Sequence, residues 1–161
     1  MNTLGVRLAL PRLVEMLDVR SIADIPCGDW NWMRTLIDTP HFRKVERYYG
    51  GDVVPGLVGA LRSSFGSERV QFLPFDLMTQ PLFPVDLLIV RDILFHFRTQ
   101  QGLDVLKNAH NSGSRYLLST YFPGYDNGKR RPGGSGHSGF APLDLETPPY
   151  NLGPPLLAIG Y

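Results

Sequence analysis

At 161 residues, with 43% apolar and 19% charged residues, the chain has the size and composition of one globular domain with a sizeable core. A formal net charge of +1 argues against a protein built mainly to hold nucleic acid. The single cysteine, Cys27, excludes an internal disulfide and fits a reducing, cytoplasmic setting, and no Cys/His cluster has the spacing of a zinc site. Pro11, Arg12 and Glu15 interrupt the N-terminal apolar residues, so no signal peptide is read. No apolar run approaches the roughly 20 residues of a membrane span.

Residues 10–18 predict a short helix, with Pro11 at its first position and Leu10, Leu13 and Leu17 at helical spacing. Residues 20–25 are short, partly apolar and end at Pro26, the pattern of a buried strand running into a turn. Gly28 lets the backbone bend tightly or come close to a ligand. Asp29 can cap the helix that Trp30, Met33, Leu36 and Ile37 suggest, which ends near Thr39-Pro40. The basic connection 41–47 reads as a solvated face. Residues 47–52 give a second strand closing on Asp52, and Pro55 opens a helix through Phe65 with Leu57, Val58 and Leu61 inward. A third strand over 69–74 leads to Asp76 and a loop. Residues 86–90 form a continuous apolar run, which suits a strand covered on both faces.

Thr99 is a candidate N-cap for a helix through Ala109, with Leu103 and Leu106 on the buried side, and 115–121 reads as a fifth strand. The pattern changes at Phe122. Residues 126–139 hold five glycines and three basic residues without periodicity, 140–155 is proline-rich, and 156–159 is at most a short strand. Strands alternating with helices over 20–121 predict an α/β fold, a Rossmann-like doubly wound, mostly parallel sheet in one domain spanning 1–161. Residues 122–155 form an irregular Gly/Pro-rich insertion or lid within it.

Strand, glycine turn and helix are how a doubly wound sheet presents a nucleotide site. No full G-x-G-x-x-G is present. Asp52 lies 24 residues after Gly28, where an acid can accept hydrogen bonds from both hydroxyls of an adenosine ribose. The alternative for Asp24, Gly28 and Asp52 is an ordinary turn with capping acids. Ligands in open α/β sheets sit beyond the carboxyl ends of the strands, which places Arg91 and Asp92 at the site. They could equally pair with each other. His96 is a candidate general base, with a structural histidine as the alternative. Of Trp30 and Trp32, one can pack in the core and one line the site. Cys27 reads as a small buried residue.

The series Asp24-Ile25-Pro26-Cys27-Gly28-Asp29-Trp30-Asn31-Trp32-Met33, then Tyr49-Gly50-Gly51-Asp52-Val53-Val54, then Phe72-Leu73-Pro74-Phe75-Asp76, resembles the class I S-adenosylmethionine-dependent methyltransferases. It is most similar to bacterial-type members carrying D-I-P-C-G-D-x-N-W-M. The resemblance covers roughly residues 10 to 158. It implies strand order 3-2-1-4-5 with a sixth and an antiparallel seventh strand at the far edge. The sequence offers no candidate for the seventh, so a short or incomplete edge is expected, as in a truncated product or a fragment. The resemblance also implies S-adenosyl-L-methionine as cofactor, bound by Asp24, Pro26, Gly28, Asp52, Val53, Asp76, Leu77 and Arg91, with Asp76 and Leu77 at the adenine. His96 and Asp92 are then the catalytic candidates.

Methyl transfer is an in-line displacement on an already activated sulfonium, so the protein mainly aligns donor and acceptor. Such sites need no fixed catalytic motif, and the acceptor, a small molecule or a sugar-containing compound, stays hidden. No metal, nucleic-acid or membrane partner is expected. Lys129, Arg130, Arg131 and His137 in the glycine-rich stretch would favour an anionic or polyhydroxylated acceptor. Two other readings compete. A nicotinamide-nucleotide oxidoreductase lacks its G-x-G-x-x-G here, and a degenerate fragment would bind a nucleoside weakly or not at all.

Overall fold

The computed structural model describes residues 3–129 and 139–160. Arg130, Arg131 and His137, the greater part of the basic cluster expected to face an acceptor, lie outside the described residues. Five strands, β1 (Ser21–Asp24), β2 (Arg47–Asp52), β3 (Val70–Pro74), β4 (Leu87–Val90) and β5 (Tyr116–Ser119), form one sheet in the order β3-β2-β1-β4-β5. Every pairing is parallel. The helices are α1 (Leu4–Met16), α2 (Asn31–Ile37), α3 (Pro55–Phe65) and α4 (Thr99–Asn111).

Successive side chains of a strand point to opposite faces, and the central strands bury both. Ile22, Leu87 and Ile89 pack on one side with Val6, Leu10 and Val14 of α1, Met33 and Ile37 of α2, and Val58 and Leu61 of α3. Ala23, Leu88 and Val90 pack on the other with Val105, Leu106 and Ala109 of α4. This two-sided burial is why Leu87–Val90 reads as an unbroken apolar run, with Asp86 just ahead of it. The second face has one long helix; the proline-rich stretch supplies the rest of its cover. Ala141, Leu143, Leu145 and Tyr150 are buried there. The Ala141 and Phe122 amides donate to the Phe95 and Leu143 carbonyls at 2.8 Å each. Asn127 and Asp144 clamp this stretch to the chain after β5, through Asp144 N–H to Asn127 Oδ1 at 2.9 Å and Gly124 N–H to Asp144 Oδ2 at 2.9 Å.

The edge carrying the strand N-termini is pinned by side chains. Asp86 Oδ2 accepts the Arg20 and Ser21 amides at 2.9 and 3.0 Å, and its Oδ1 takes Arg115 at 2.9 Å. The Arg69 guanidinium donates to the carbonyls of Ile37, Phe42 and Val45 at 2.6–2.9 Å.

Four expectations are corrected. The first helix spans Leu4–Met16, so Pro11 stands inside it rather than at its start. The stripe of Val6, Leu10 and Val14 buried against the sheet offsets the backbone bond that proline cannot donate. The helix after β4 is capped by Arg98, not Thr99, because Gln101 Oε1 reaches back to the Arg98 amide at 2.9 Å. Trp30, in the left-handed region at φ 60°, is the N-cap of α2; Asp29 supports it from one residue earlier, accepting the Asn31 amide at 3.1 Å. Residues 156–159 form no strand, and Leu156 is 91% exposed. Among the described residues no helix is long and apolar enough to cross a membrane.

Candidate functional site

β1 lies between β2 and β4, so the chain reverses its winding there, and open α/β sheets bind ligands beyond the strand ends at such a point. Asp24 stands level with Gly50 on one side and Ile89 on the other. Beyond it the chain turns through Ile25 and Pro26, a cis peptide, with the Ile25 amide bonded to Ile89 O and the Cys27 amide to Gly51 O. Gly28 follows at φ +55°, and a Cβ placed on it would meet nothing within 4 Å. The space over this turn is open.

Asp52 closes β2 opposite Pro74 and is largely buried. Its Oδ2 accepts the Gly28 amide at 3.2 Å and its Oδ1 the Val54 amide at 3.0 Å. A carboxylate offers about four lone-pair sites, so both oxygens keep capacity for a ligand's hydroxyls. Gly50 and Gly51 are set by packing. A Cβ on Gly50 would come within 2.7 Å of the Phe72 ring, and one on Gly51 within 2.9 Å of Ile25. Val53 is exposed at the mouth.

Asp24 is 1% exposed beneath the turn and accepts the Tyr48 hydroxyl at 2.9 Å. Burial pushes its pKa up to about 7, against the opposing pull of the Tyr48 hydrogen bond and the Arg91 charge. Cys27 is buried, and burial followed by the charges of Asp24 and Asp52 pushes its thiol up to about 12, which makes it unreactive. Trp30 packs in the core, its ring 5.1 Å from Phe72 and 5.2 Å from Phe65.

Past β3, Asp76 binds its own turn. The Thr79 hydroxyl at 2.7 Å and the Met78 amide at 2.9 Å hold its pKa below the usual carboxylate value. Leu77 is buried in the second core. At the end of β4, Arg91 and Asp92 form an ion pair with each other. Asp92 sits at φ +57° and accepts the Thr120 hydroxyl at 2.8 Å, while the Arg91 guanidinium lies 5.0 Å from the centre of the Trp32 ring. His96 is exposed on the 3-10 turn Leu94–His96. Tyr48, Thr120 and the pairing of Trp32 with Arg91 escaped the sequence reading. Their partners lie 24 or more residues away, and no local pattern marks them. Among the described residues no group of three His, Cys, Asp or Glu side chains could hold a metal ion.

No family model and no curated protein matches the sequence. Solved structures do. The methyltransferase domain of bacterial CtHen1-C superposes with a TM-score of 0.60 at 13% identity, over 71% of this chain and 63% of that one. Human N-acetylserotonin methyltransferase in complex with SAM gives 0.54 at 16% identity, over 71% and 36%. The N-methyltransferase NodS from Bradyrhizobium japonicum in complex with S-adenosyl-l-homocysteine gives 0.51 at 18%, over 66% and 55%. The fold is that of these methyltransferases. This chain spans less than two thirds of the length of each.

Proposed function

We propose that this chain binds S-adenosylmethionine at the turns that follow β1 and β2 and transfers its methyl group to a small-molecule or sugar-containing acceptor. The observation that carries the reading is the Asp52 carboxylate tied to the Gly28 amide under open space, at the point where the sheet reverses its winding. A ribose needs that pair, an acid for two hydroxyls beside a backbone free of side chain. Bound there, the cofactor supplies an activated methyl on a sulfonium. Gly28 lets the backbone approach the ligand, Asp52 orients the ribose, and Val53 at the mouth offers it an apolar contact. Asp24 holds β2 through Tyr48 and shapes the turn from below, with Pro26 between them. Asp76 and Leu77 fix the far wall, where the adenine would lie. Arg91 and Asp92 border the acceptor side. His96, exposed on its 3-10 turn, would act as base only for an acceptor that brings it a proton to remove.

Calorimetry with S-adenosylhomocysteine against NAD tests the reading, with binding of the first and not the second expected. Asp52→Ala should weaken that binding by about ten- to a hundredfold, the loss of a charged acceptor worth roughly 1.5–3 kcal/mol. Unchanged affinity would remove Asp52 from the site.

A further inference from the structure

β3 ends the sheet: it pairs with β2 and with no other strand among the described residues. From Val70 to Phe75 the chain carries no charge, and Arg69 and Asp76 bracket the run. A short apolar edge strand of this kind is a template for pairing with another chain. An open cleft of about 430 Å³ runs beside it, lined by Arg62, Gly66, Ser67 and residues 70–73. Alternate residues of a strand turn their N–H and C=O toward the same edge. The Arg69 carbonyl accepts the Tyr48 amide at 2.8 Å, and the Phe75 amide donates to the Asp52 carbonyl at 2.9 Å. Residues 69, 71, 73 and 75 therefore face β2, and Val70, Phe72 and Pro74 turn their main chain to the free edge.

Each of these three is closed by a different device. Ser67 Oγ accepts the Val70 amide at 3.0 Å, and the Ser67 amide donates to the Val70 carbonyl at 2.8 Å. The Phe72 carbonyl accepts hydrogen bonds from Nε and Nη2 of Arg62, at 3.1 and 2.7 Å. Pro74 has no N–H. Two facing residues of an antiparallel pair exchange both their N–H and their C=O bonds. None of the three keeps both groups for a partner. Arg62 and Ser67 are themselves exposed, one in the last turn of α3 and one just past its end. Neither belongs to the apolar core, so closing this edge is what their polar groups do.

We propose that Arg62 and Ser67 guard the β3 edge, and that without them it pairs antiparallel with the β3 edge of a second copy. A two-fold axis at Phe72 sets the two strands antiparallel with each Phe72 facing the other, and the closed two-fold dimer is the commonest assembly. In that register Val70 faces Pro74 of the copy. The Arg62 guanidinium withholds the two acceptors of the central pair. The Ser67 hydroxyl withholds the Val70 amide from the Pro74 carbonyl opposite. The run 70–74 is uncharged and meets itself without like charges directly opposed. This pairing stands apart from the cofactor reading, since neither side chain belongs to the proposed site.

The test is sedimentation equilibrium of the full chain with Arg62→Met and Ser67→Ala, singly and together, with amide exchange followed by NMR at Phe72. The wild-type chain should be monomeric, its Phe72 amide exchanging fast. Each guard removed frees two symmetry-related hydrogen bonds, so each single variant should self-associate and the double variant about tenfold more tightly than either. Protection of the Phe72 amide should rise with the fraction of dimer. Ser67→Ala, the milder change, carries the test if Arg62→Met does not fold. Variants no more associated than the wild type overturn the proposal. Association that leaves the Phe72 amide fast joins the copies elsewhere and overturns it too, as does a wild-type chain that already dimerises with Phe72 protected.

Discussion

At the β1–β2 end of the ligand edge, Asp52 is held by two backbone amides, those of Gly28 and Val54. At the β4 end, Asp92 is held by side chains, the Arg91 guanidinium and the Thr120 hydroxyl, over the Trp32 ring. The first arrangement sets an acid, itself 7% exposed, beneath the open turn at Gly28 and depends on where the main chain goes. The second is a nearly neutral, mostly buried cluster, with side chains 12% and 10% exposed, and depends on which residues meet. The cofactor reading proposed above would set a ribose at the first end and the rigid pair of the second beside it.

That contrast can be broken most directly at Asp92. Asp92→Ala leaves the Arg91 cation enclosed without its partner and should cost about 3–5 kcal/mol in urea denaturation. A loss under about 1 kcal/mol would mean that the ion pair is solvated and the β4 end no more rigid than the other. The backbone-built end is challenged by Gly51→Ala. Its Cβ would press on Ile25 and on Phe75 at 2.9 and 3.0 Å, and overpacking should cost roughly 1–3 kcal/mol. A neutral result in thermal unfolding would show that β2 has slack and that Gly51 is not there for close approach.

The smallest effect sharpens the comparison by way of Asp24, which touches both ends, through Tyr48 and through the Arg91 charge. Its folded pKa of about 7 lies above the unfolded value near 3.8. The folded state therefore binds the extra proton between those values, and this group's contribution is full below about pH 4 and lost as pH rises through about 7. Its slope is at most about 1.4 kcal/mol per pH unit. Asp24→Asn keeps an acceptor for Tyr48 and should flatten that slope in denaturation series from pH 4 to 7. An unaltered slope would assign the dependence to other groups.

The same contrast explains what could be read in advance. The five strands, the glycine turn and the acid closing β2 are encoded locally, in apolar runs, a glycine and an interval, so the sequence reveals them, whereas the strand order follows from the family resemblance and from no local signal. Proline's usual position at a helix start points to a helix beginning at Pro11, and the tertiary burial of Val6, Leu10 and Val14 overrides that preference. The Trp32–Arg91 contact and the Asp92–Thr120 bond have no local signature, since each joins residues far apart in the chain. The proline-rich stretch is legible as irregular but not as core, because it shows neither the periodicity nor the unbroken apolar run from which burial is read.

The pinned edge has a consequence for motion. Asp86 and Arg69 tie strand starts, a helix end and a connecting turn together at one pole of the sheet. At the opposite pole the side-chain ties gather at Asp24, Asp52 and Asp92 and leave Gly28 and the exposed Val53 between them with open space. Amide exchange should therefore be graded along the strands, slow near Ser21 and Leu87 and faster toward Gly28 and Val54. A ligand arriving at the open pole could reorder its turns while the far pole held the register of all five strands.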